Sequence, residues 1–495
     1  MMRLSGSSLA ILAFFVAALL PRATWPLVDP DVWWHIRAGQ TTLGTGRVPD
    51  VDTWSLTAAG NPWTSQDWLA NVVLAMGHGL GTWGDTTLSA LFALVAVAAF
   101  WLLWRAMRIR SPQIGWLSRV TWLSVGLVLA GPTLGVRVQV FDLLLAALVI
   151  LVLWSFLADR RRTWLVGLPV IAVAWVNLHA GWPLLLLLGG AVLIGEATDR
   201  VSRRRAAALE PRELAWLGGA LLVSVGALVV NPNTLQIYRY PFDTLALGTL
   251  KAAVGEWQPA RFDSLFGWLW LGFVLGAVIP TIAWRWRSIP LADALILLGL
   301  TAMAGMAVRF LLVLGPIGGA IVAIHLAPAI GATGLGRAMA PHLGRLGRPR
   351  TGLAYPVVAA LLLALGLGLA ALRASPVSQA AEVAVEQPAA ALDWILDHDP
   401  GKRVFNRYEW GGYLGLRRPA TPIYIDGRAD VYGDGVIAEY VRTIGLTVDP
   451  QTTFDRYGID HVLFPADTPL GGWLDASGSW ERAYHDDVAT IWVPS

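Results

Sequence analysis

Long apolar runs separated by short polar segments fill the first three quarters of the chain. A membrane-spanning helix needs about 20 largely apolar residues, and runs near that length predict eleven spans. The predicted spans are residues 7–21, 84–104, 118–134, 138–157, 164–178, 182–197, 214–231, 265–284, 290–308, 310–329 and 353–373. The pattern therefore predicts an α-helical polytopic membrane protein with about 11 spans.

Two regions lack this pattern. Residues 22–83 form a long loop after the first span, and residues 376–495 hold 18 of the 34 acidic residues. In the second region short apolar strands alternate with helices, which is typical of a small sheet covered by helices. We predict helices at Ala389–Leu396 and Val436–Ile444 and strands at Arg403–Asn406, Ile423–Ile425, His461–Phe464 and Thr490–Val493. The expected organisation is a membrane domain of residues 1–375 and a soluble C-terminal α/β domain of residues 376–495, with Ser375–Gln387 as the linker.

Composition supports the membrane assignment. Hydrophobic residues make up 55% of the chain and charged residues 14%, whereas soluble proteins carry about 25% charged residues. This excludes a soluble enzyme, and basic residues dispersed among apolar runs exclude a nucleic-acid-binding protein. The chain has no cysteine, which excludes disulfides, thiolate metal sites and cysteine nucleophiles. Its 26 tryptophans are predicted to lie at the membrane–water interface.

The distribution of charge predicts an orientation. With a cytoplasmic N-terminus, 19 of the 37 basic residues fall in inside segments, 8 in outside loops and 10 in the C-terminal region. By the positive-inside rule, residues 22–83 and the C-terminal domain then lie on the outer side of the plasma (inner) membrane. The first span could be a cleavable signal peptide, but no small-x-small cleavage site follows it, and we expect the span to be retained.

An acidic pair follows the first span directly, in the string DPDVWWHIRAGQ. Asp31 is a natural N-cap for a predicted helix Val32–Leu43 that ends at Gly44, and its apolar stripe favours a position along the membrane surface. A cap needs only one carboxylate, so Asp29 and Asp31 could also bind a divalent cation (Mg²⁺ or Mn²⁺) or take a proton from an acceptor hydroxyl. His35 follows one helical turn later, and these three residues are the candidate catalytic residues.

Further polar residues lie near the predicted outer ends of spans. Asp67 is one candidate for a substrate-binding site, although a capping box with Thr64 is the simpler explanation. Each of the others could be structural, snorkelling to headgroups or bonding between helices. All of them fall on the same predicted side of the membrane as Asp29 and Asp31. Such a group of residues suits a phosphate-bearing lipid substrate, because guanidinium groups bind phosphate in a forked geometry. The remaining candidate substrate-binding residues are Arg137, Gln139, Asn177, His179, Glu256 and Arg309.

The C-terminal domain contains a polar cluster in the string IYIDGRADVYGDG. Such a cluster could bind a cation or a sugar, but Asp and Gly are also typical of turns, and we favour the turn. Gly411 and Gly412 are predicted to meet a requirement of the backbone. The cluster consists of Asp426, Arg428, Asp430, Tyr432 and Asp434.

One span followed by a long outside loop with an acidic pair resembles the GT-C class of polyprenyl-phosphate-sugar-dependent glycosyltransferases. The strings DPDVWWHIRAGQ, VPDVDTWSLTAAGNPWTSQDWLANV, VRVQVF and WVNLHAGW resemble bacterial RgtA/B/C/D-like and protein O-mannosyltransferase-like enzymes. RVFNRYEWGGYLGL and IYIDGRADVYGDG resemble the soluble domain of that branch. The His-Pro-Pro element of the mannosyltransferase relatives is missing, and NPWTSQDW stands in its place.

The resemblance implies inverting transfer of a sugar from a polyprenyl-phosphate donor to a glycan, lipid or protein acceptor on the outer face. Asp29 or Asp31 would act as the base or hold a metal, and Arg137 or Arg309 would neutralise the phosphate leaving group. Two other classes stay open. A lipid-linked saccharide transporter or flippase would carry ionisable residues at the midplane and internal repeats, neither of which is evident. A non-enzymatic envelope assembly protein would display residues 376–495.

Overall fold

The apolar part of the chain folds into a bundle of helices. The computed structural model describes residues 6–246, 248, 255–331, 333–334, 337 and 354–495. The helices up to residue 374 are α1 (Gly6–Ala23), α2 (Pro30–Thr45), α3 (Trp68–His78), α4 (Gly84–Arg110), α5 (Trp116–Ala130), α6 (Val140–Asp159), α7 (Gly167–Leu178), α8 (Pro183–Val201), α9 (Pro211–Ala227), α10 (Tyr240–Ala246), α11 (Leu265–Arg285), α12 (Leu291–Met306), α13 (Val308–Gly331) and α14 (Ala354–Ala374).

Five of the described helices are long and apolar enough to cross a membrane, namely the helical segments Gly81–Arg110, Val140–Asp159, Leu265–Arg285, Val308–Gly331 and Ala354–Ala374. Shorter apolar helices lie at Leu9–Ala23, Trp68–His78, Arg162–Leu178 and Leu291–Met306. The class of polytopic helical protein is thus confirmed, whereas the predicted number of eleven spans is not. Part of the charge argument rests on basic residues outside the described ones, namely Arg3, Lys251, Arg345, Arg348 and Arg350.

Helix pairs distant in the sequence close the bundle. α1 packs along α14, α4 along α6, and α8 along α12. α5 crosses a π-helical turn of α13, Leu314–Gly318, through two glycines. A Cβ on Gly126 would lie 2.8 Å from the Gly315 carbonyl oxygen, and one on Gly315 would lie 2.6 Å from the Gly126 carbonyl oxygen. The two backbones approach so closely because neither residue carries a side chain.

α2 begins and ends at other residues than the sequence predicts. Asp29, not Asp31, is its N-cap and accepts a hydrogen bond from the Asp31 amide at 3.0 Å, and Gly46 ends it in the left-handed conformation at φ 67°. Pro30 at the first helical position favours this start, since proline lacks the amide hydrogen that would go unbonded there. The helix packs between α3 and a C-terminal helix, and its residues 32–39 are buried. This half of α2 therefore packs against protein, and its position along the membrane surface stays a prediction.

The C-terminal region is an α/β unit with a four-stranded sheet. Its order is β1–β2–β4–β3, with β1 parallel to β2 and the other pairs antiparallel. The elements are α15 (Pro376–Glu386), α16 (Ala389–His398), β1 (Val404–Asn406), α17 (Gly411–Arg417), α18 (Ala429–Ile444), α19 (Pro450–Tyr457), β2 (His461–Phe464), α20 (Pro469–Ala476), β3 (Trp480–His485) and β4 (Thr490–Pro494).

Most predicted elements of this unit occur. The expected linker Ser375–Gln387 is instead the helix α15, whose Gln379 is buried and bonds to Ser89 and to the Leu27 amide. The predicted strand Ile423–Ile425 forms only isolated bridges, through Ile423. β3 was not predicted, because most of its residues are exposed and polar. The helix predicted from Val436 begins seven residues earlier at Ala429, with a break at Gly433.

The loop after α1 is docked onto this unit. Ile423 donates to the Trp54 carbonyl at 3.0 Å and accepts from the Leu56 amide at 2.7 Å. Gly412 fits directly against the first turn of α2, 2.9 Å from a built Cβ to the Pro30 carbonyl oxygen, so the predicted backbone requirement at Gly411 and Gly412 is confirmed. Trp33, Trp34 and Trp63 are buried in this contact rather than at a membrane interface, which corrects that prediction.

Candidate functional site

A cavity of about 430 Å³ opens where the first loop, the ends of several apolar helices and the C-terminal unit meet. Its wall includes the N-terminal ends of α6, α8 and α13 and the segment after α7, so these helix ends lie on one side of the bundle. Nine of the ten predicted site residues line it, namely Asp29, Asp31, His35, Asp67, Arg137, Gln139, His179, Glu256 and Arg309.

The two acidic residues of the predicted pair differ in their surroundings. Asp29 is the helix cap and forms an ion pair with Arg137. Asp31 accepts a hydrogen bond from Trp34 Nε1 at 3.1 Å, and among the described residues no cation lies within ion-pair distance of it. Burial, followed by the negative charge of Asp29, raises the pKa of Asp31 well above its usual value. Asp31 is therefore more basic than an ordinary aspartate.

Two arginines on the opposite wall share one carboxylate. Arg137 donates to Glu256 Oε2 at 2.7 Å, and Arg309 Nη1 lies 3.5 Å from Glu256 Oε1. The guanidinium of Arg309 also lies 4.3 Å from the ring centroid of Trp257. Burial alone would raise the pKa of Glu256, but the charges of Arg309 and Arg137 outweigh it and hold that pKa below its usual value. Glu256 is therefore ionised at neutral pH.

His179 is held by a residue that the sequence did not indicate. Its Nδ1 lies 2.8 Å from Asp142 Oδ2, and Asp142 Oδ1 accepts from Trp175 Nε1 at 2.7 Å. Asp142 lies in the first turn of α6, within an apolar run, so a single acidic residue there carried little signal. His179 and Asp142 thus form a close contact at the cavity wall.

Asn177 is the one predicted residue that the cavity does not include. Its side chain donates to the carbonyl oxygens of Val173 and Val230, both at 2.7 Å, and accepts from Trp68 Nε1 at 2.6 Å. It lines a separate shallow groove between α3, α7 and α9. Asn177 thus joins helices, which was the structural alternative for this group of residues.

His35 and Asp67 belong to one buried network. His35 Nδ1 lies 2.6 Å from Asn71 Oδ1 and 3.3 Å from Asp67 Oδ2, and burial lowers the pKa of His35. Asp67 is the N-cap residue of α3, but its side chain makes no cap hydrogen bond and accepts instead from Asn71 Nδ2 at 3.3 Å. The capping box with Thr64 is therefore wrong, and the pair His35–Asp67 supports the cavity wall behind Trp34.

The C-terminal unit contributes Tyr408, Glu409, Gly427 and Asp430 to the same cavity. A Cβ on Gly427 would overlap Asp31 Oδ1 and lie 3.0 Å from Trp34 Nε1, so the two segments touch at the candidate base. Burial, followed by the charge of Asp67, raises the pKa of Asp430 to about 7. Of the polar cluster that was interpreted as a turn, Arg428 and Asp430 thus line the cavity.

Tyr240, from α10, also lines the cavity and was not predicted. It lies in the segment between two predicted spans, where neither hydrophobic periodicity nor charge marks one polar residue above another. Its position could not be read from the sequence for that reason.

Asp29 and Asp31 have few additional ligands to offer a divalent cation. No group of three or more His, Asp or Glu side chains with metal-binding geometry occurs in the part of the chain that the structure describes. The Asp29 carboxylate is already paired with Arg137, whose positive charge opposes a nearby cation. The arrangement does not fit a preformed Mg²⁺ or Mn²⁺ site, and the polar groups that the cavity presents include carboxylates, guanidinium groups and imidazoles.

Neither a protein-family model nor a curated protein sequence matches the chain. Two solved structures resemble it over 98% of its length at 12% identity. One is the archaeal oligosaccharyltransferase AglB from Archaeoglobus fulgidus in complex with an inhibitory peptide and a dolichol-phosphate, with a TM-score of 0.55 and 74% of that chain covered. The other is the Archaeoglobus fulgidus oligosaccharyltransferase in complex with Zn and sulfate, with a TM-score of 0.50 and 73% covered. The predicted resemblance to the GT-C class is thus confirmed at the level of the fold.

Proposed function

We propose that the protein is a membrane glycosyltransferase that moves a sugar from a polyprenyl-phosphate donor to an acceptor hydroxyl on the outer face of the membrane. The observation that carries this proposal is that Asp31 lies in one cavity with the guanidinium groups of Arg137 and Arg309, while no described residue forms an ion pair with Asp31. Base and phosphate-binding groups on facing walls are what a displacement at a phosphate-linked sugar requires. The solved structure with bound dolichol-phosphate supports a lipid-linked donor.

In the proposed reaction Asp31 takes the proton of the acceptor hydroxyl while the oxygen of that hydroxyl attacks the anomeric carbon of the sugar. The bond between that carbon and the phosphate oxygen breaks, and the phosphate leaves with the electron pair. Arg309 and Arg137 stabilise the charge that develops on the leaving oxygen. Attack from the face opposite to the phosphate inverts the configuration of the sugar.

The acceptor is proposed to enter from the side of the C-terminal unit, where Tyr408, Glu409 and Asp430 line the cavity. By the positive-inside argument this side is extracytoplasmic. The proposed protein is thus a multi-pass protein of the plasma membrane with residues 376–495 outside. A glycan, a lipid or a protein remains the proposed class of acceptor.

Reconstitution tests this function directly. The purified protein in liposomes is supplied with radiolabelled polyprenyl-phosphate sugars and a membrane extract as the source of acceptor. We expect label to move from the lipid to the acceptor fraction. Movement of intact labelled lipid between leaflets without transfer would instead identify a flippase, and the absence of both activities would favour an assembly protein.

Arg309 is expected to act on the phosphate. Arg309→Ala should reduce kcat/KM for the donor by about 10²-fold, the usual cost of removing one donor to a developing anion, and Arg309→Lys should recover part of the loss because charge returns without the fork. The matched control is Arg261→Ala, an exposed arginine paired with Asp263 on the segment before α11. An equal loss in both variants would contradict the assignment.

The pH dependence should report the raised pKa of Asp31. A general base works only when ionised, so kcat/KM should fall on the acid side at a pH well above the ordinary carboxyl range of about 4. Asp29→Asn removes the like charge that raises this pKa, and the acid limb of the profile should therefore shift to lower pH. A limb near pH 4 in the unmodified protein, or an upward shift in Asp29→Asn, would contradict this role.

A further inference from the structure

Glu256 is placed between the two arginines that the proposed function assigns to the donor phosphate. It contacts Arg137 at 2.7 Å and Arg309 at 3.5 Å. Arg137 has a second anionic partner in Asp29, so the pair of guanidinium groups is already neutralised. A phosphate that approaches these groups must compete with a carboxylate of the chain itself.

The two carboxylates differ in how firmly they are held. Asp29 is the cap of α2, and its side chain is 8% exposed. Glu256 lies in the short turn Gly255–Trp257 at the rim, with a side chain that is 22% exposed. Of the two, Glu256 is therefore the one whose displacement leaves a helix start intact.

Arg309 has a second support besides Glu256. Its guanidinium lies against the ring of Trp257. The backbone after that ring is fixed to the start of α13, because the Val308 amide donates to the Gln258 carbonyl at 3.1 Å, and Ala260 donates to Gly305 at 3.0 Å. The departure of one side chain thus exposes a preformed cationic surface.

We infer that Glu256 is an internal competitor for the phosphate group, which limits the affinity of the cavity for polyprenyl phosphate and speeds release of that product. This inference rests on the proposed function. The donor phosphate is a diester with one negative charge, whereas the product is a monoester with a charge of about −1.5 to −2 at pH 7. Two guanidinium groups bind the product more strongly than the donor, and a returning carboxylate lowers the affinity for both, so the tightly held product can still leave.

The test uses farnesyl phosphate as a soluble probe of the phosphate site and measures its affinity for the detergent-purified protein. Glu256→Gln keeps the size and polarity of the side chain but removes its charge. We expect it to bind farnesyl phosphate about tenfold more tightly, since charge-assisted hydrogen bonds contribute more than neutral ones. In turnover with a polyprenyl-phosphate sugar, KM should fall, and kcat should fall with it as product release becomes limiting.

Glu409→Gln is the matched control. Glu409 lines the same cavity and loses the same charge, but its partner is Arg407 at 2.9 Å, so it should give the smaller change in affinity. Equal affinities of Glu256→Gln and the unmodified protein, or weaker binding by the variant, would overturn the inference while leaving the phosphate site in place. Failure of every variant, including the unmodified protein, to bind the probe would contradict the proposed function itself, and this inference with it.

Discussion

Asp31→Asn is expected to reduce sugar transfer by about 10²- to 10⁴-fold, the usual contribution of a general base. The amide has the same shape and still accepts from Trp34 Nε1, so the cavity wall should hold. It cannot take a proton from the acceptor hydroxyl. The loss should therefore appear in kcat, with donor affinity close to that of the unmodified protein, in the liposome assay with a radiolabelled donor.

Asp29→Asn separates the two members of the acidic pair. This change keeps the cap of α2, because Asn caps a helix about as well as Asp, but it removes the negative charge that pairs with Arg137. We therefore expect Arg137 to lose its fixed position and the KM for the donor to rise. Full transfer activity in both Asp31→Asn and Asp29→Asn, with expression and melting temperature unchanged, would rule out the carboxylate mechanism. A kcat loss confined to Asp29→Asn would assign the base to that residue instead.

Charge patterning explains why much of the site could be predicted. Basic residues are concentrated on the predicted cytoplasmic side of the bundle, so polar residues at the other ends of the spans are expected to lie on one shared side. Arg137, His179 and Arg309 do line one cavity. The rule places a residue at an end of a helix but does not set the direction of its side chain. Asn177 is at the correct end and yet bonds to Val230 and Trp68, away from the cavity.

The contributions of the C-terminal unit could not be predicted for a different reason. Gly427 touches Asp31 although almost 400 residues separate them in the sequence, and no local pattern encodes such a contact. Local signals did succeed for β1, β2 and β4, because these strands are short, mostly apolar runs whose residues are mostly buried. β3 was missed because only Trp480 of its six residues is buried and half of them are charged or polar, so hydrophobicity alone does not detect it.

Arg428 joins the two parts that enclose the cavity. Its guanidinium donates to Asp52 of the first loop at 2.7 Å and to Asp426 at 2.9 Å, and all three side chains are buried. The rings of Trp54 and Trp63 lie 4.5 and 4.7 Å from it on the loop side. Arg428 therefore forms ion pairs with two buried carboxylates and packs against two aromatic rings. These interactions lie at the contact that places Gly427 beside Asp31.

Arg428→Ala is expected to destabilise this contact by about 3–5 kcal/mol, because it leaves two buried carboxylates without a cation. The melting temperature should fall, and protease should cleave the loop after α1 faster. Transfer should also decrease, although Arg428 donates to none of the residues that we assign to catalysis. The control Arg456→Ala removes an exposed arginine paired with Glu439 in the same unit and should change little.

Neutralising the two carboxylates that lose their ion-pair partner tests the cause of the lower stability. The triple change Arg428→Met, Asp52→Asn and Asp426→Asn replaces the buried charges with neutral groups of similar size, and such replacements are often neutral or stabilising. We expect it to recover most of the melting temperature lost in Arg428→Ala. If Arg428→Ala kept its stability and its protease resistance, the C-terminal unit would be held by its other contacts with α2 and with the first loop. In that case the ion pairs around Arg428 would determine only how precisely Gly427 is placed against Asp31, and transfer would fall without any loss of stability.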